Sequence, residues 1–137
     1  MAIKMIREAI LETIDAEMAR DENVIMLGED IVGGNGAPGG PEAIGGIWST
    51  STDLWAKYGP DRVIDTPISE SAIIGAAAGA SLTGKRAIAE IMFADFIGVC
   101  MDQIWNQVAK FRYMFGGKST CPIVIRMVYG AGFNAAA

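Results

Sequence analysis

Six consecutive residues hold the most chemical promise in this sequence: Asp65-Thr66-Pro67-Ile68-Ser69-Glu70. The run Arg62 to Thr66 reads as a short strand, broken by Pro67, which has no amide hydrogen to give a ladder. Ser69 is then placed to cap a helix rich in small residues, Ser71 to Thr83, closed by Gly84. Glu70 therefore falls at a strand end, in the first turn of a helix lined with Ala and Gly. Those small residues would let a flat ligand or another backbone come close. Two effects compete at such a carboxylate: the helix N-terminus favours its charge, and burial among Ala, Ile and Met disfavours it. If burial wins, Glu70 can donate or share a proton near neutral pH. The plainer reading is ordinary capping, with Glu70 paired to Ser69 or to the helix dipole.

Other polar residues fall at similar places. Glu29 and Asp30 follow the apolar run Val24 to Leu27 and Gly28; taken alone, such a pair reads as a solvated turn. Glu90 lies inside the apolar run Ala87 to Phe93, where a carboxylate needs an ion-pair or hydrogen-bond partner. Cys100 and Cys121 lack CxxC spacing and read as small hydrophobes. There is no histidine, which removes the commonest general base and metal ligand. Gly34-Asn-Gly36-Ala-Pro-Gly39 fits GxGxxG, the pattern of a nicotinamide-binding turn. Its first glycine lies six residues beyond Gly28, and Pro38, Gly40 and Pro41 prevent a helix from starting there, so a surface loop is the better reading.

The elements that must position these residues alternate. Ile6, Ile10, Ile14 and Met18 recur every four residues and predict a helix over 4–20. Val24 to Leu27 predicts a strand. Residues 33–46, with seven glycines plus Pro38 and Pro41, form a loop. Ser51 or Thr52 is placed to cap a short helix through Leu54, Trp55 and Tyr58, stopped by Gly59-Pro60. After the Arg62–Thr66 strand and the small-residue helix come a strand over Ala87–Phe93, a long helix over Phe96–Phe115 and a strand over Ile123–Tyr129. Continuously apolar strands alternating with helices predict an α/β fold, a parallel sheet flanked by helices on both faces. Ligands of such sheets bind at the carboxyl ends of the strands.

Composition narrows the function classes. A chain of 137 residues, 51% hydrophobic and 20% charged, is long enough for one domain with a core. Its net charge of −5 and scattered basic residues give no nucleic-acid footprint. The longest apolar stretch, Ala72 to Leu82, is far short of the roughly 20 residues that cross a bilayer. With no signal peptide visible, a cytoplasmic or organelle-matrix location is expected. Phe96, Met101, Trp105, Val108 and Phe111 are expected to pack as core or interface. The aromatic second half of that predicted helix (Trp105, Phe111, Tyr113, Phe115) points to a partner subunit.

Together these segments resemble a known family. Leu27-Gly-Glu-Asp30, Arg62-Val-Ile-Asp-Thr-Pro-Ile-Ser-Glu70, Ala89-Glu-Ile-Met-Phe-Ala-Asp-Phe96, Met101-Asp-Gln-Ile-Trp-Asn-Gln-Val-Ala-Lys110, Tyr113-Met-Phe-Gly-Gly117 and Pro122-Ile-Val-Ile-Arg126 follow the order found in beta subunits of thiamine-diphosphate-dependent 2-oxo acid dehydrogenases. The glycine-rich insert resembles acetoin-type and some bacterial pyruvate-type subunits. The resemblance implies the N-terminal part of a pyrimidine-binding, transketolase-like domain over 1–137, with the rest of the domain and a C-terminal domain beyond it. It implies thiamine diphosphate between an alpha and a beta subunit, with magnesium and the diphosphate held by the alpha subunit. It assigns Glu70 to the pyrimidine ring nitrogen opposite the exocyclic amine, Ile68, Met92 and Phe96 to the pyrimidine pocket, and Glu29 to an acidic position near the cofactor.

The reaction so implied is oxidative decarboxylation of pyruvate or a branched 2-oxo acid, with acyl transfer to a lipoyl-bearing acyltransferase core, in a heterotetramer. Acetoin cleavage is the alternative on the same scaffold. In the family a histidine follows soon after the segment matching Gly130 to Ala137, and here the chain stops before it. The expectation is a truncated chain, inactive alone, and a rival reading of another class is a fragment that acts only by associating with subunits.

Overall fold

The computed structural model describes residues 3–33 and 45–130. Short, continuously apolar segments become buried strands: β1 (Val24–Glu29), β2 (Val63–Thr66), β3 (Arg86–Phe93) and β4 (Ile123–Val128). All pairings are parallel, in the order β2-β1-β3-β4. Glu29 stands opposite Thr66, Gly28 opposite both Asp65 and Glu90, and a register shift interrupts the β3–β4 ladder between Ile91 and Phe93.

Side-chain alternation divides the core between the two faces of the sheet. On one face Val24, Met26 and Val63 pack with Ile14 and Met18 of α1 (Ile6–Arg20) and Leu54 of α2 (Leu54–Tyr58). On the other, Ile25, Leu27, Ala87, Ala89 and Ile91 pack with Ile73, Ile74 and Ala77 of α3 (Glu70–Leu82) and with Cys100. The predicted α/β class is the one observed. The four-residue spacing in α1 overstates one position: Ile6, at the free end of the helix, is 82% exposed.

Arg62 ties the first face together. Its guanidinium donates to the carbonyl oxygens of Met18, Asp21 and Val24 at 2.8 to 2.9 Å, closing the α1–β1 connection, and it lies 4.9 Å from the Tyr58 ring centroid.

The predicted long helix over Phe96–Phe115 is not continuous. The chain forms a 3-10 turn (Ala94–Gly98), a π-helical segment (Gln103–Val108) and a short α4 (Phe111–Met114). Competition for the backbone accounts for part of this. Ser71 Oγ of α3 donates to the Val99 carbonyl at 2.7 Å, and the Cys100 thiol faces the Ile97 carbonyl at 3.4 Å. The wider π turn also lets Gln103 lie against Gly75, where a Cβ would meet its Oε1 at 3.3 Å.

Two predicted caps are absent. Ser69 precedes α3 but makes no cap hydrogen bond; its hydroxyl donates to the Pro67 carbonyl at 2.9 Å. Neither Ser51 nor Thr52 caps α2, whose N-cap is Asp53 in the left-handed region. Ser51 is drawn instead to the Ile31 and Gly45 carbonyls, 2.6 and 2.8 Å away, which bind the end of one loop to the beginning of another.

Most of the glycine-rich loop, including Gly34 to Gly39, lies outside the described residues, as does 131–137. No described helix is long and apolar enough to cross a membrane.

Candidate functional site

The chain leaves β1 toward α2 on one face and β3 toward the 3-10 turn on the other, so the connections part at the carboxyl ends of these two neighbouring strands. Such a switch point is where open parallel sheets bind ligands. Glu29 ends β1, Thr66 ends β2, Phe93 ends β3, and Glu70 opens α3 beside them.

Glu70 is only 8% exposed. With the Ser69 hydroxyl turned away to Pro67, capping between Ser69 and Glu70 does not occur. No hydrogen-bond or ion-pair partner for the Glu70 carboxylate is found among the described residues. Its carboxylate oxygens keep a narrow opening to solvent, through which a ligand would reach and complete them.

Glu29 lies near enough to feel that charge. Burial is the main cause that pushes the Glu29 carboxyl above its ordinary value, with Asp30 and then Glu70 adding to it. Thr66 stands opposite Glu29 in the ladder, and its hydroxyl is buried with no hydrogen-bond partner among the described residues. Beneath Glu70, Cys100 is fully buried; burial first, then the Glu70 charge, holds its thiol in the neutral form. This fits its reading as a small hydrophobe.

An apolar wall stands at the end of β3. Phe93 makes edge-on contacts with Trp48 at 5.4 Å and with Phe96 at 5.8 Å between ring centroids. Met92 is buried, and its sulfur receives the Trp48 indole N–H at 3.1 Å. The register shift at this point is a common means of re-aiming a side chain beside a site. Phe96 packs against the core on the α3 face. Ile68 stands apart, 76% exposed on the rim. Of the residues singled out in the sequence, the structure thus groups Glu29 with Glu70 and sets Phe96 on the same face. Met92 belongs to the aromatic wall, and Ile68 lines no pocket among the described residues.

Chain-wide matching agrees with this geometry. The model of the transketolase pyrimidine-binding domain matches residues 3–137. The chain belongs to that family. Among relatives of the pyrimidine-binding domain, it is 62% identical over 138 residues to the beta subunit of acetoin:2,6-dichlorophenolindophenol oxidoreductase of Cupriavidus necator, covering 100% of this chain and 40% of the relative. It is 52% identical over 132 residues to the subunit of the same name in Bacillus subtilis, covering 95% of this chain and 39% of the relative. With the mitochondrial beta subunit of the pyruvate dehydrogenase E1 component of Bos taurus it shares 42% over 132 residues, 96% of this chain and 34% of the relative. The chain spans about two fifths of the first two relatives.

Sequence reasoning passed over two contributors to this pyrimidine-binding domain. Trp48 was hidden behind the glycine-rich loop, although a lone tryptophan just past a loop is a signal in itself. Arg126 closes the Pro122–Arg126 run with nothing in the sequence to mark its role, yet it is the partner that Glu90 required. The two charges approach to 2.8 Å, with Glu90 almost fully buried. Glu90 Oε2 and Arg126 Nη1 nonetheless lack a well-directed hydrogen bond, so this is a Coulombic contact more than a bonded one; Arg126 Nη2 donates to Thr50 Oγ1 at 2.7 Å. Burial pushes the Glu90 carboxyl up and Arg126 pulls it back. A groove of about 800 Å³ lies on this side, between α1, Trp48 and β4, but neither Glu29 nor Glu70 lines it.

Proposed function

We propose that this chain is the pyrimidine-gripping part of a thiamine-diphosphate-dependent dehydrogenase beta subunit, with Glu70 as its catalytic carboxylate. The observation that carries the reading is the nearly buried Glu70 with no partner among the described residues, at the switch point of a pyrimidine-binding domain. Bound thiamine diphosphate supplies a carbanion-forming thiazolium carbon and an electron sink. Gripping the pyrimidine ring, holding its proton and keeping water away from it fall to residues of this chain.

The Glu70 carboxyl would hydrogen-bond the ring nitrogen opposite the exocyclic amine and hold the shared proton there. A ring seated there would shut water out of that bond and strengthen it, since no solvent dipoles would then compete for the charge. Glu29 stands beside this site, its carboxyl raised above the ordinary value by burial first and by the Asp30 and Glu70 carboxylates after it. Met92, Phe93 and Phe96 offer apolar surface for a flat ring. Ile68, open on the rim, would be covered only when another chain docks, as expected if an alpha subunit completes the site and holds the magnesium and diphosphate. Exposed Val99, Met101 and Trp105 fit the same arrangement.

For the substrate, the identities of 62% and 52% to acetoin-type subunits, against 42% to a pyruvate-type subunit, favour acetoin cleavage. This reverses the order of preference taken from the sequence; pyruvate or a branched 2-oxo acid, with transfer to a lipoyl-bearing acyltransferase, is the second reading. The test is Glu70→Gln in a full-length subunit assembled with its alpha partner. Assembly should persist while turnover falls by about two orders of magnitude or more, the usual scale for an acid–base group. Turnover near that of the wild type would remove Glu70 from the mechanism.

A further inference from the structure

The turn that leaves β1 is held from outside the site. Asp30 has φ 51°, in the left-handed region that non-glycine residues seldom enter. The next two residues, Ile31 and Val32, are buried completely or nearly so. The Val32 amide donates to Asp65 Oδ1 at 3.2 Å, and the Ile31 amide also favours the Asp65 carboxylate. Consecutive amides after a left-handed residue form a small anion-binding nest. The anion that fills this nest comes from β2.

The same two residues fasten the far end of the glycine-rich loop. The Gly45 amide donates to the Val32 carbonyl at 2.9 Å, and Ser51 Oγ lies 2.6 Å from the Ile31 carbonyl. Three residues past Gly45, Trp48 reaches Met92. Asp65 is therefore joined through Ile31 and Val32 to Glu29 on one side and to the Trp48–Met92 contact on the other. It shares the α1 and α2 face of β2 with Val63, the face opposite Glu70, so its influence on the site runs through backbone.

We propose that Asp65 is a positioning residue, which fixes Glu29 and the Trp48–Met92 wall relative to Glu70 by capturing the Ile31 and Val32 amides. The proposal rests on the reading of Glu70 as a cofactor-binding carboxylate. A carboxylate suits the task because both its oxygens accept, whereas an asparagine turns one N–H donor toward another.

The test compares the wild type, Asp65→Asn and Ser51→Ala in the full-length subunit assembled with its alpha partner. Hydrogen exchange is read at Ile31, Val32 and Gly45, thiamine diphosphate affinity by titration, and kcat at saturating cofactor. Asp65→Asn is expected to speed exchange at those three amides and weaken cofactor binding about tenfold, as loss of a charged hydrogen bond would, with a smaller fall in kcat. Ser51→Ala, which loosens the same neck from its other end, should move both readouts in the same direction by less, and it serves if Asp65→Asn does not fold. Unchanged exchange overturns the proposal, and so does faster exchange with unchanged affinity. Parallel loss of affinity, kcat and melting temperature would make Asp65 structural only, which also overturns it. A wild-type assembly that binds no thiamine diphosphate defeats the cofactor reading before any variant is compared, and the positioning role falls with it.

Discussion

Gly28 and Glu90 face each other across β1 and β3 with no space for a side chain between them: a Cβ on Gly28 would lie 2.9 Å from both the Cβ and the carbonyl oxygen of Glu90. The closeness is backbone to backbone, so no rotamer change relieves it. Gly28→Ala should therefore destabilise the fold by about 1–3 kcal/mol, the usual scale of overpacking. Urea unfolding measures this directly. Because Gly28 precedes Glu29, the variant should also weaken ligand binding at the site, while Gly79→Ala, at an ordinary helical position with open space around it, should leave binding unaltered.

Glu90 and Arg126 form a buried pair whose halves are unequal in isolation. Arg126→Met leaves Glu90 buried without its counter-charge and should cost about 3–5 kcal/mol. Glu90→Gln combined with Arg126→Met should recover most of that loss. A double-mutant cycle by chemical denaturation checks it; a double variant as unstable as Arg126→Met would show that the pair is not the unit.

Glu29 gives a pH dependence of definite sign. Its folded-state pKa is raised above the ordinary 4.5, chiefly by burial. A raised carboxyl favours the fold fully below the unfolded pKa, and that contribution is lost as pH rises through the folded value. The stability of the wild type relative to Glu29→Gln should thus fall as pH rises from about 4.5 upward. Unfolding curves for both proteins at several pH values test this, and a difference that grows in the opposite direction would mean that Glu29 is charged and held by a cation in the fold.

The substrate order is open to direct assay. A full-length subunit assembled with its alpha partner should reduce 2,6-dichlorophenolindophenol faster with acetoin than with pyruvate or a branched 2-oxo acid. Faster reduction with pyruvate would restore the 2-oxo acid reading and leave the cofactor assignment intact.

The sheet was legible in the sequence because parallel strands buried on both faces are written as continuous apolar runs, and Val24–Leu27 and Ala87–Phe93 are such runs. Glu70 was legible for a related reason: Pro67 fixes the strand end, and the alanines and glycines after it announce a helix. Less legible was what the hydroxyls do. Ser51 and Ser69 have the right residue type for caps, but carbonyls from Ile31, Gly45 and Pro67 claim them, the first of these 20 residues away in sequence. The break in the predicted Phe96–Phe115 helix was hidden likewise, since part of it comes with Ser71 of α3 reaching the Val99 carbonyl. Periodicity can report a helix face; it cannot report a hydrogen bond offered from another element.

The π-helical segment Gln103–Val108 has a consequence for how this chain tolerates changes of length. A π turn accommodates one residue more than an α turn. Removing a single residue here would let the segment relax to α geometry with its hydrogen bonding largely intact, so the backbone should survive a deletion that elsewhere would break an element. Because the wider turn already absorbs the extra residue, its loss would leave Phe111 facing the core as before. Deleting a residue from an α-helix would instead swing everything beyond the cut by about 100°. At this point in the chain, one codon fewer is absorbed as a change of pitch.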